Sequence, residues 1–385
     1  MKEKFLRELA DIQTGPFGSQ LHKEDYVADG TPIVTVEHLG NKMFSEQNLP
    51  RVSNTDKNRL KKYVLKQGDI VFSRVGSVDR CSYVDQKHDG WMFSGRCLRV
   101  RPTSEIDSEY LYYYFCLEET KQFVRNISVG ATMPSINTKL LGEVVVTFPE
   151  LEQQKRISGI LSAIDSKIEV NQKINYNLSD LLQTIYQGQF GKVGLANNCG
   201  ILADICSYSK DKIEISKLSL DTYYSTENML PEKSGAVKAT SLPTTSQTTA
   251  CHKGDTLISN IRPYFKKIVY CEDDCGCSTD VLCFKPVHPR YTAYLFSTLY
   301  ADSFFDFMVA GAKGTKMPRG DKQQIMTYPV VLPSEKDLSE FNSVATPILT
   351  QIYSNRTESE RLSAIRDTLL PKLILGEIDV SSIQL

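Results

Sequence analysis

Four segments of this chain occur twice, in the same order and at nearly the same spacing. Chance matches would not keep one order and offsets that all lie between 184 and 193 residues, so we interpret the chain as an internal duplication. This period is far longer than that of solenoid repeats, so each copy should be a whole domain with an appended element. The paired segments are residues 9–12 and 202–205, 66–73 and 252–259, 130–134 and 314–318, and 144–149 and 328–333.

Each copy carries the local signals of a compact domain that mixes short strands with helices. Gly68-Asp69 and Gly254-Asp255 are turn dipeptides, and each precedes a short run of β-forming residues. We therefore predict an α+β fold with two pseudo-symmetric mixed α/β domains. Further strands are predicted at residues 95–100 and 279–284, and helices at residues 110–123 and 291–307.

The segment after Pro149 has the hydrophobic pattern of a coiled-coil helix. Apolar or amide side chains alternate in steps of four and three, and no proline or glycine interrupts the run between Gly159 and Gly188. The same positions shifted by 184 form a second seam, in which Pro347 marks either a kink or the first helical turn. The first seam is Ile157, Leu161, Ile164, Ile168, Asn171, Asn175, Leu178, Leu182 and Ile185, and the second is Phe341, Ala345, Ile348, Ile352, Asn355, Ser359, Leu362, Arg366 and Leu369.

The two helices most simply pack on each other, because so narrow a stripe suits a helix partner better than a broad domain surface. Asn171 and Asn355 are then helix-pairing residues that fix the register at some loss of stability. The alternative is two separate amphipathic helices, each on its own domain. If a pseudo-two-fold axis relates the copies, the helices form an antiparallel coiled coil that sets a fixed distance between the domains. The predicted segments are domain 1 at residues 1–149, helix 1 at 150–192, domain 2 at 193–333 and helix 2 at 334–385.

Composition narrows the class of protein. The N-terminal residues lack a signal-peptide pattern and no apolar run is long enough to span a membrane, so we expect a soluble, cytoplasmic protein. The ten cysteines include no Cys-x-x-Cys pair, and Cys271, Cys275 and Cys277 have no histidine at metal-ligand spacing. We expect reduced, packed thiols and no metal site. The net charge of −1 argues against a uniformly basic nucleic-acid binder but leaves room for local basic faces.

The repeated segments resemble the recurrent motifs of the specificity subunits of type I restriction–modification enzymes, over essentially the whole chain. The start of the second long helix, Pro333-Ser334-Glu335-Lys336, departs from the Pro-x-x-Glu-Gln pattern that opens the first. The segments that carry the resemblance are Leu9-Ala10-Asp11-Ile12, Gly68-Asp69-Ile70-Val71, Gly254-Asp255-Thr256-Leu257, residues 149–157 and residues 369–378.

The resemblance implies two target-recognition domains that read a bipartite, asymmetric site on double-stranded DNA with an unread gap. It also implies that the long helices bind two adenine methyltransferase subunits, and that restriction/translocase subunits join the full complex. S-adenosylmethionine, ATP and Mg²⁺ would belong to those partners, and this chain would have no cofactor and no catalytic residue. Two readers on one face of a duplex should lie about one helical turn, roughly 34 Å, apart, and the helices are of that order.

Basic and amide side chains in two loops of each copy are the candidates for DNA contact, since such groups read base edges and bind phosphates. The first loop follows the Gly-Asp strand, and the second contains the repeated Gly-x-x-Met-Pro segment. Either loop could instead be a solvated surface turn or a turn that closes the domain onto its helix. The candidates are Arg74 and Arg80 in the first copy, and Asn260, Arg262, Lys266, Lys267, Lys313, Lys316 and Arg319 in the second.

Two other functions remain possible from the residues alone. A tandem-domain nuclease would need a Mg²⁺ site, which Asp69 with Asp85 and Lys87 loosely imitates, although a turn explains Asp69 better. A scaffold that binds only proteins would need no DNA contact. The glycine loop at residues 15–20 lacks the lysine of a nucleotide site, and the Asn-Pro-Pro-aromatic motif of adenine methyltransferases is absent from the sequence.

Overall fold

The computed structural model describes residues 1–17, 20–40, 42–191 and 198–381, which form two compact units. Unit 1 contains Met1–Glu169 and Ser359–Leu385, and unit 2 contains Val170–Glu358. Both boundaries lie inside long helices, so each unit combines a β-rich globular part with segments of two helices. Residues 192–197 and 382–385, which were assigned to the predicted segments, lie outside the described residues.

Unit 1 begins with short strands and short helices and ends in the first long helix. Its elements are β1 (Lys2–Phe5), α1 (Leu6–Leu9), β2 (Ala10–Thr14), β3 (Tyr26–Val27), β4 (Thr31–Val34), β5 (Arg51–Val52), α2 (Asn54–Arg59), β6 (Ile70–Ser73), β7 (Cys81–Tyr83), β8 (Met92–Phe93), β9 (Cys97–Pro102), α3 (Ser108–Cys116), α4 (Glu118–Ile127), α5 (Thr138–Gly142), β10 (Val145–Phe148) and α6 (Leu151–Phe190), whose second half belongs to unit 2.

Unit 2 follows the same plan and ends in the second long helix. Its elements are β11 (Cys199–Ile201), β12 (Cys206–Tyr208), β13 (Lys212–Glu214), β14 (Tyr223–Tyr224), β15 (Gln247–Cys251), β16 (Thr256–Ser259), β17 (Ile268–Tyr270), β18 (Cys275–Cys277), β19 (Val281–Pro286), α7 (Thr292–Tyr300), α8 (Asp302–Ala310), α9 (Lys322–Ile325), β20 (Pro329–Val331) and α10 (Glu335–Ile374), whose second half returns to unit 1.

The sheets repeat the duplication that the sequence predicts, with one difference. A two-stranded ribbon, β1-β10, corresponds to β11-β20, and the antiparallel sheet β2-β9-β6-β7 corresponds to β12-β19-β16-β17. The remaining sheets differ in strand order, because β4 lies between β5 and β8 in unit 1, whereas β18 lies between β15 and β14 in unit 2. The shared framework is therefore the ribbon and the first sheet, and the second sheet is the part in which the copies diverge.

One of the four predicted repeat pairs is wrong by three residues. The backbone N–H of Leu6 donates to Val144, and that of Leu202 donates to Tyr328, which is 184 residues after Val144. Because these bonds are equivalent, Leu202-Ala203-Asp204-Ile205 corresponds to residues 6–9 and not to residues 9–12. Similar letters in the following strand β2 produced the false match.

The helices predicted at residues 110–123 and 291–307 are each two helices. The chain is extended at Leu117, between α3 and α4, where ψ is 134°, and at Ala301, between α7 and α8, where ψ is 142°. Both halves of the first pair pack on one core, which includes Tyr110 and Val124. The hydrophobic pattern therefore continues across the break, and the sequence gives no signal of it.

The two long helices pack antiparallel within each unit. In unit 2, Asn171 donates to the carbonyl of Asn355 and Asn175 donates to that of Ile352, so the partner's number falls as the chain advances. All seam positions are buried or half-buried. Pro347 lies inside α10, twelve residues after Glu335, so its assignment to the first turn is wrong. The predicted α+β fold with an antiparallel helix pair is confirmed.

The helices also form part of the domain cores. In unit 1, Ile157 and Leu161 of α6 and Leu373 of α10 belong to the core that includes Tyr110. In unit 2, Leu182 of α6 joins the corresponding aromatic core around α7 and the start of α10. The helix pair and the separate helix-on-domain arrangement are therefore combined, because each helix has one face for its partner helix and another for the domain.

Candidate nucleic-acid interface

Two loops of unit 2 that carry most of the candidate residues lie side by side. We call residues 260–267 the strand loop, because they follow β16, and residues 311–320 the Met-Pro loop. The backbone N–H of Arg262 donates to the carbonyl of Pro318 at 2.8 Å, and that of Gly320 donates to Asn260 at 3.3 Å. Ile261 also forms a β-bridge with Arg319. The fold thus joins two loops that are about 50 residues apart in sequence.

Unit 1 builds the same frame from different residues. Its strand loop is residues 74–80 and its Met-Pro loop is residues 129–136. Gly76 donates to the carbonyl of Pro134 at 2.8 Å, and Val75 forms a β-bridge with Ser135. The backbone bonds are equivalent to those of unit 2, so a common frame presents side chains that differ between the copies.

A glycine in the left-handed region shapes each Met-Pro loop. Gly130 has φ of 110° and Gly314 has φ of 102°, which side chains disfavour. After each glycine the chain reverses, and Val129 bridges to Ser135 as Lys313 bridges to Arg319. The shared glycine therefore explains the turn that brings both loops to the surface.

The three candidate cations of the unit 2 Met-Pro loop differ in their surroundings. Lys313 pairs with Asp321 at 2.5 Å, and this hydrogen bond lowers the pKa of the Asp321 carboxyl. Arg319 pairs with Asp280 at 3.0 Å. Lys316 is exposed, and among the described residues no acidic group pairs with it. Lys316 is thus the cation of this loop whose charge is available to a ligand without breaking an ion pair.

Lys266 and Lys267 each bind a polar group elsewhere in unit 2. Lys266 pairs with Asp302 of α8 at 2.7 Å, and this hydrogen bond raises the pKa of the lysine. Lys267 donates to the carbonyl of Thr226 at 2.6 Å, and burial lowers its pKa. The strand loop therefore carries these two cations, but each already has a partner inside the protein.

Asn260 and Arg262 lie where the two loops of unit 2 meet. Asn260 is buried, and its Oδ1 has no hydrogen-bond partner among the described residues. Arg262 is half-buried and has φ of 50°, a strained conformation for a residue with a side chain. Its Nε is also without a partner in the described part of the chain. These two unsatisfied groups mark the junction of the loops as a polar, strained position.

Arg74 and Arg80 are the first and last residues of the unit 1 strand loop. Arg74 donates to the carbonyl of Gly95 at 3.2 Å and lies 6.0 Å from the ring centre of Phe17. Arg80 is exposed, with its guanidinium over Gly40, where a Cβ would come within 2.5 Å of Nη2. Arg80 is therefore the more accessible of the two.

The glycine loop at residues 15–20 is a site of close backbone packing as far as it is described. A Cβ on Gly15 would lie 2.1 Å from the carbonyl oxygen of Ser94, and one on Gly95 would lie 2.4 Å from that of Pro16. Both glycines are thus required by contact between two chain segments. Gly18 and Ser19 of this loop lie outside the described residues.

The residues that imitate a nuclease cluster have structural partners instead. Asp69 is buried, accepts from the backbone N–H of Lys66, and binds the Arg101 guanidinium through two 2.7 Å bonds. Asp85 caps a short helix and contacts His88, and Lys87 pairs with Glu46. Within the described ranges, no group of three or more His, Cys, Asp or Glu side chains could hold a metal ion.

The described residues include no helix that is both long and apolar enough to cross a membrane. All ten cysteines have free thiols, and most of them are buried.

Sequence reasoning missed the apolar side chains around these loops. Met133 and Met317 are exposed at the equivalent position of the two Met-Pro loops, and Phe17, Tyr264 and Phe265 are exposed near the strand loops. The repeated methionine was visible in the sequence as part of the duplicated segment. Its exposure was not, because an apolar residue is normally assigned to the core.

The helix pair has a polar layer at the positions that the sequence singled out. Asn171 donates to Glu358 at 2.8 Å as well as to the Asn355 carbonyl. Asn355 donates to Asn175 at 2.8 Å and accepts from Gln351 at 2.7 Å. The two equivalent asparagines thus lie together in one hydrogen-bond network, which fixes the axial position of one helix against the other.

Comparison with known proteins agrees with this architecture. The family model of the type I restriction modification DNA specificity domain matches residues 1–179. The specificity subunit of the type I restriction enzyme MjaIX from Methanocaldococcus jannaschii is 23% identical over 311 residues, which is 74% of this chain and 72% of that protein. The chain is similar to the type I restriction–modification specificity subunits. The resemblance that the sequence motifs indicated is confirmed.

Two further comparisons give the same likeness. The specificity subunit of the HindI enzyme from Haemophilus influenzae is 28% identical over 133 residues, which cover 34% of this chain and 29% of that protein. The crystal structure of a type I restriction–modification S subunit from M. genitalium covers 97% of this chain and 95% of its own, with a TM-score of 0.56 and 17% identity. That structural likeness shows the fold alone.

Proposed function

We propose that the globular part of each unit reads one half of a bipartite, asymmetric DNA target through its strand loop and Met-Pro loop. The observation that carries this proposal is the pairing of the strand loop with the Met-Pro loop. Both units form it with equivalent backbone bonds, but the side chains on the two loops differ between the units. A common frame with different side chains is what two readers of different sequences require, because base-edge contacts specify sequence and backbone contacts only position the reader.

The candidate contacts divide by what they offer to DNA. Lys316 and Arg80 are exposed, and their charges fit phosphate groups or base edges. Arg262 lies at the junction of two loops, where its unsatisfied Nε would gain an acceptor. The remaining candidates would exchange an internal partner for a DNA partner. These are Arg74, Lys266, Lys267, Lys313 and Arg319, whereas the unsatisfied Oδ1 of Asn260 would gain a donor.

The chain works in this proposal as a non-catalytic platform. The long helices offer the surface for two methyltransferase subunits, and a restriction/translocase subunit joins the same assembly. S-adenosylmethionine, ATP and Mg²⁺ act in those partners, and the residues of this chain bind DNA and orient the partners on it. The structural roles of Asp69, Asp85 and Lys87 support the absence of a nuclease centre, since each has a partner that explains it.

The decisive measurement is the binding of DNA by the chain in complex with its methyltransferase subunits. Methylome sequencing of cells that express the complex should return one asymmetric motif of two half-sites, which then supplies the cognate duplex. Purified chain incubated with Mg²⁺ and plasmid should leave the plasmid intact. Cleavage would favour the nuclease alternative, and a complex without affinity for any DNA would favour the protein-only scaffold.

Lys316→Ala should weaken DNA binding without unfolding unit 2, because the side chain is exposed and joins no internal ion pair among the described residues. If Lys316 contacts a phosphate, affinity falls about fivefold for cognate and non-cognate duplexes alike, and the salt dependence of log K loses about one charge. Arg262→Ala should instead reduce discrimination at one half-site. Lys238→Ala, at an exposed lysine of unit 2 outside both loops and both long helices, is the matched control. Unchanged affinity in both loop variants would contradict this placement.

A further inference from the structure

Met133 and Met317 are the shared residues of the Met-Pro loops that the protein's own structure does not explain. The glycines provide the left-handed turn, and the carbonyls of Pro134 and Pro318 accept the bonds that join the two loops. The methionine side chains are 66% and 49% exposed. Neither belongs to a hydrophobic core of the described residues. Two copies that differ at most positions thus both present a large apolar side chain to solvent.

The surroundings of these side chains favour DNA as the partner over a protein. In unit 2, Met317 follows Lys316, and the same loop bonds to the backbone of Arg262. In unit 1, the end of the Met-Pro loop bonds to the carbonyl of Arg74, since Ile136 donates to it at 2.9 Å. An apolar side chain flanked by cations matches a duplex, whose phosphates attract the cations while thymine methyl groups and base steps accept apolar contacts.

We propose that Met133 and Met317 are base-contacting residues, one for each half-site, that insert apolar surface into a groove of the duplex. The inference rests on the proposed function and adds to it the residues through which apolar reading occurs. The frame places both methionines at equivalent positions, so each makes the same kind of contact in its own half-site. The neighbouring cations hold the phosphates and differ between the copies.

The test compares Met133→Ala and Met317→Ala in the complex with methyltransferase subunits, on duplexes altered in one half-site at a time. Each variant should bind the cognate duplex about tenfold more weakly, the size of one lost apolar base contact. Non-specific affinity and the salt dependence of log K should stay as in the unaltered complex, because no charge is removed. Met133→Ala should lose discrimination at one half-site only, and Met317→Ala at the other.

Two controls make the result specific. Met317→Leu keeps the apolar bulk and should restore binding to within about twofold of the unaltered complex. Val237→Ala removes another exposed apolar side chain of unit 2, outside both loops, and should have no effect. Circular dichroism of each variant checks that the fold is intact, which is expected because both methionines are exposed.

The outcomes separate this inference from the proposed function. If the unaltered complex binds no specific duplex, the proposed function itself fails and the inference falls with it. If the unaltered complex is specific but both alanine variants match it, only the inference is overturned. Weaker assembly with the methyltransferase subunits in the absence of DNA would overturn it as well, since the methionines would then belong to a protein interface.

Discussion

Two equivalent aspartates show how the copies use one residue differently. Asp69 and Asp255 each follow the turn glycine, and each accepts from the backbone three residues before it. Asp69 binds Arg101, but the position of Arg101 in unit 2 is Lys285, which pairs with Asp211 instead. The thiol of Cys283 donates to the Asp255 carboxyl at 3.4 Å, and burial raises the pKa of this carboxyl.

Arg101→Ala should destabilise unit 1 by about 3 kcal/mol, because it leaves the 1% exposed Asp69 as a buried charge without its partner. Trp91 is the only tryptophan of the chain and lies in unit 1, so its fluorescence in a urea titration follows the unfolding of that unit. Lys285→Ala, at the equivalent position, removes a solvent-exposed ion pair, so it should lower the unfolding free energy far less than Arg101→Ala, as followed by circular dichroism. Equal losses for the two variants would contradict this account.

The raised pKa of Asp255 predicts a pH dependence of stability. The folded chain holds this proton more tightly than the unfolded chain, so the contribution of Asp255 is fully present below its unfolded pKa, near 3.8, and is lost as pH rises through the raised value. The unfolding free energy of the unaltered chain minus that of Asp255→Asn should therefore fall as pH rises from 4.

Asp302→Asn gives the control of opposite sign. Hydrogen bonds from Lys233 and Lys266 lower the pKa of Asp302, so its contribution is present above its unfolded pKa and is lost as pH falls. The unfolding free energy of the unaltered chain minus that of Asp302→Asn should therefore increase as pH rises. Parallel curves for the two variants would show that neither carboxyl titrates differently in the folded state.

Residue type was enough to predict the candidate cations. Their ion-pair partners could be identified only from the folded structure. Asp321 lies close to Lys313 in sequence, whereas Asp280 and Asp302 reach Arg319 and Lys266 only through the packing of distant elements. Whether a basic side chain is free or compensated depends on such contacts. The sequence therefore indicated which loops could bind DNA, and could not rank the residues within them.

At the scale of elements, periodicity located the long helices well and their breaks poorly. The heptad seam predicted α6 and α10 because its side chains recur at coiled-coil spacing and are buried or half-buried in both helices. The breaks at Leu117 and Ala301 were missed because hydrophobic periodicity records burial and not backbone conformation. The extra contact of the helices with the domain cores was also missed, since the seam was assigned to the helix partner alone.

The asparagine layer of the helix pair should show coupling in a double-mutant cycle. Asn355→Ala removes the donor to Asn175 and the acceptor of Gln351, and should cost about 1–2 kcal/mol of unfolding free energy. Asn171→Ala should cost a similar amount. Because the two share one network, the double variant should lose less than the sum by roughly 1 kcal/mol, measured by urea titration followed by circular dichroism.

A matched control for this cycle pairs Asn171→Ala with Asn342→Ala, which removes a bond to the Arg290 carbonyl elsewhere on α10. The losses of unfolding free energy in these two single variants should add up to the loss in the double variant. Additive losses for the asparagine pair itself would show that the layer is not one network.

At the scale of the molecule, the duplication was predicted from four short matches, and the structure retains three of them. The ribbon and the first sheet repeat, so the framework could be inferred from one copy to the other. The different strand order of the second sheets could not, because their strands are short and carry no shared motif.

Exchanging residues 1–149 with residues 193–333 tests whether a two-fold axis relates the two proposed readers. A two-fold axis makes the exchanged chain equivalent to the original one turned around, so the methylated motif should stay the same. Readers arranged in tandem would instead recognise the half-sites in reversed order. Methylome sequencing distinguishes the two results, and the unexchanged chain expressed in the same cells is the reference.

The division of the chain also dictates an order of events during synthesis. Unit 2 is one continuous stretch, whereas the core of unit 1 includes Leu370, Leu373 and Ile374 near the end of α10. A ribosome delivers those side chains last. The part of unit 1 that is translated first therefore keeps the apolar surface that contacts these residues exposed to solvent until all of unit 2 has been synthesised.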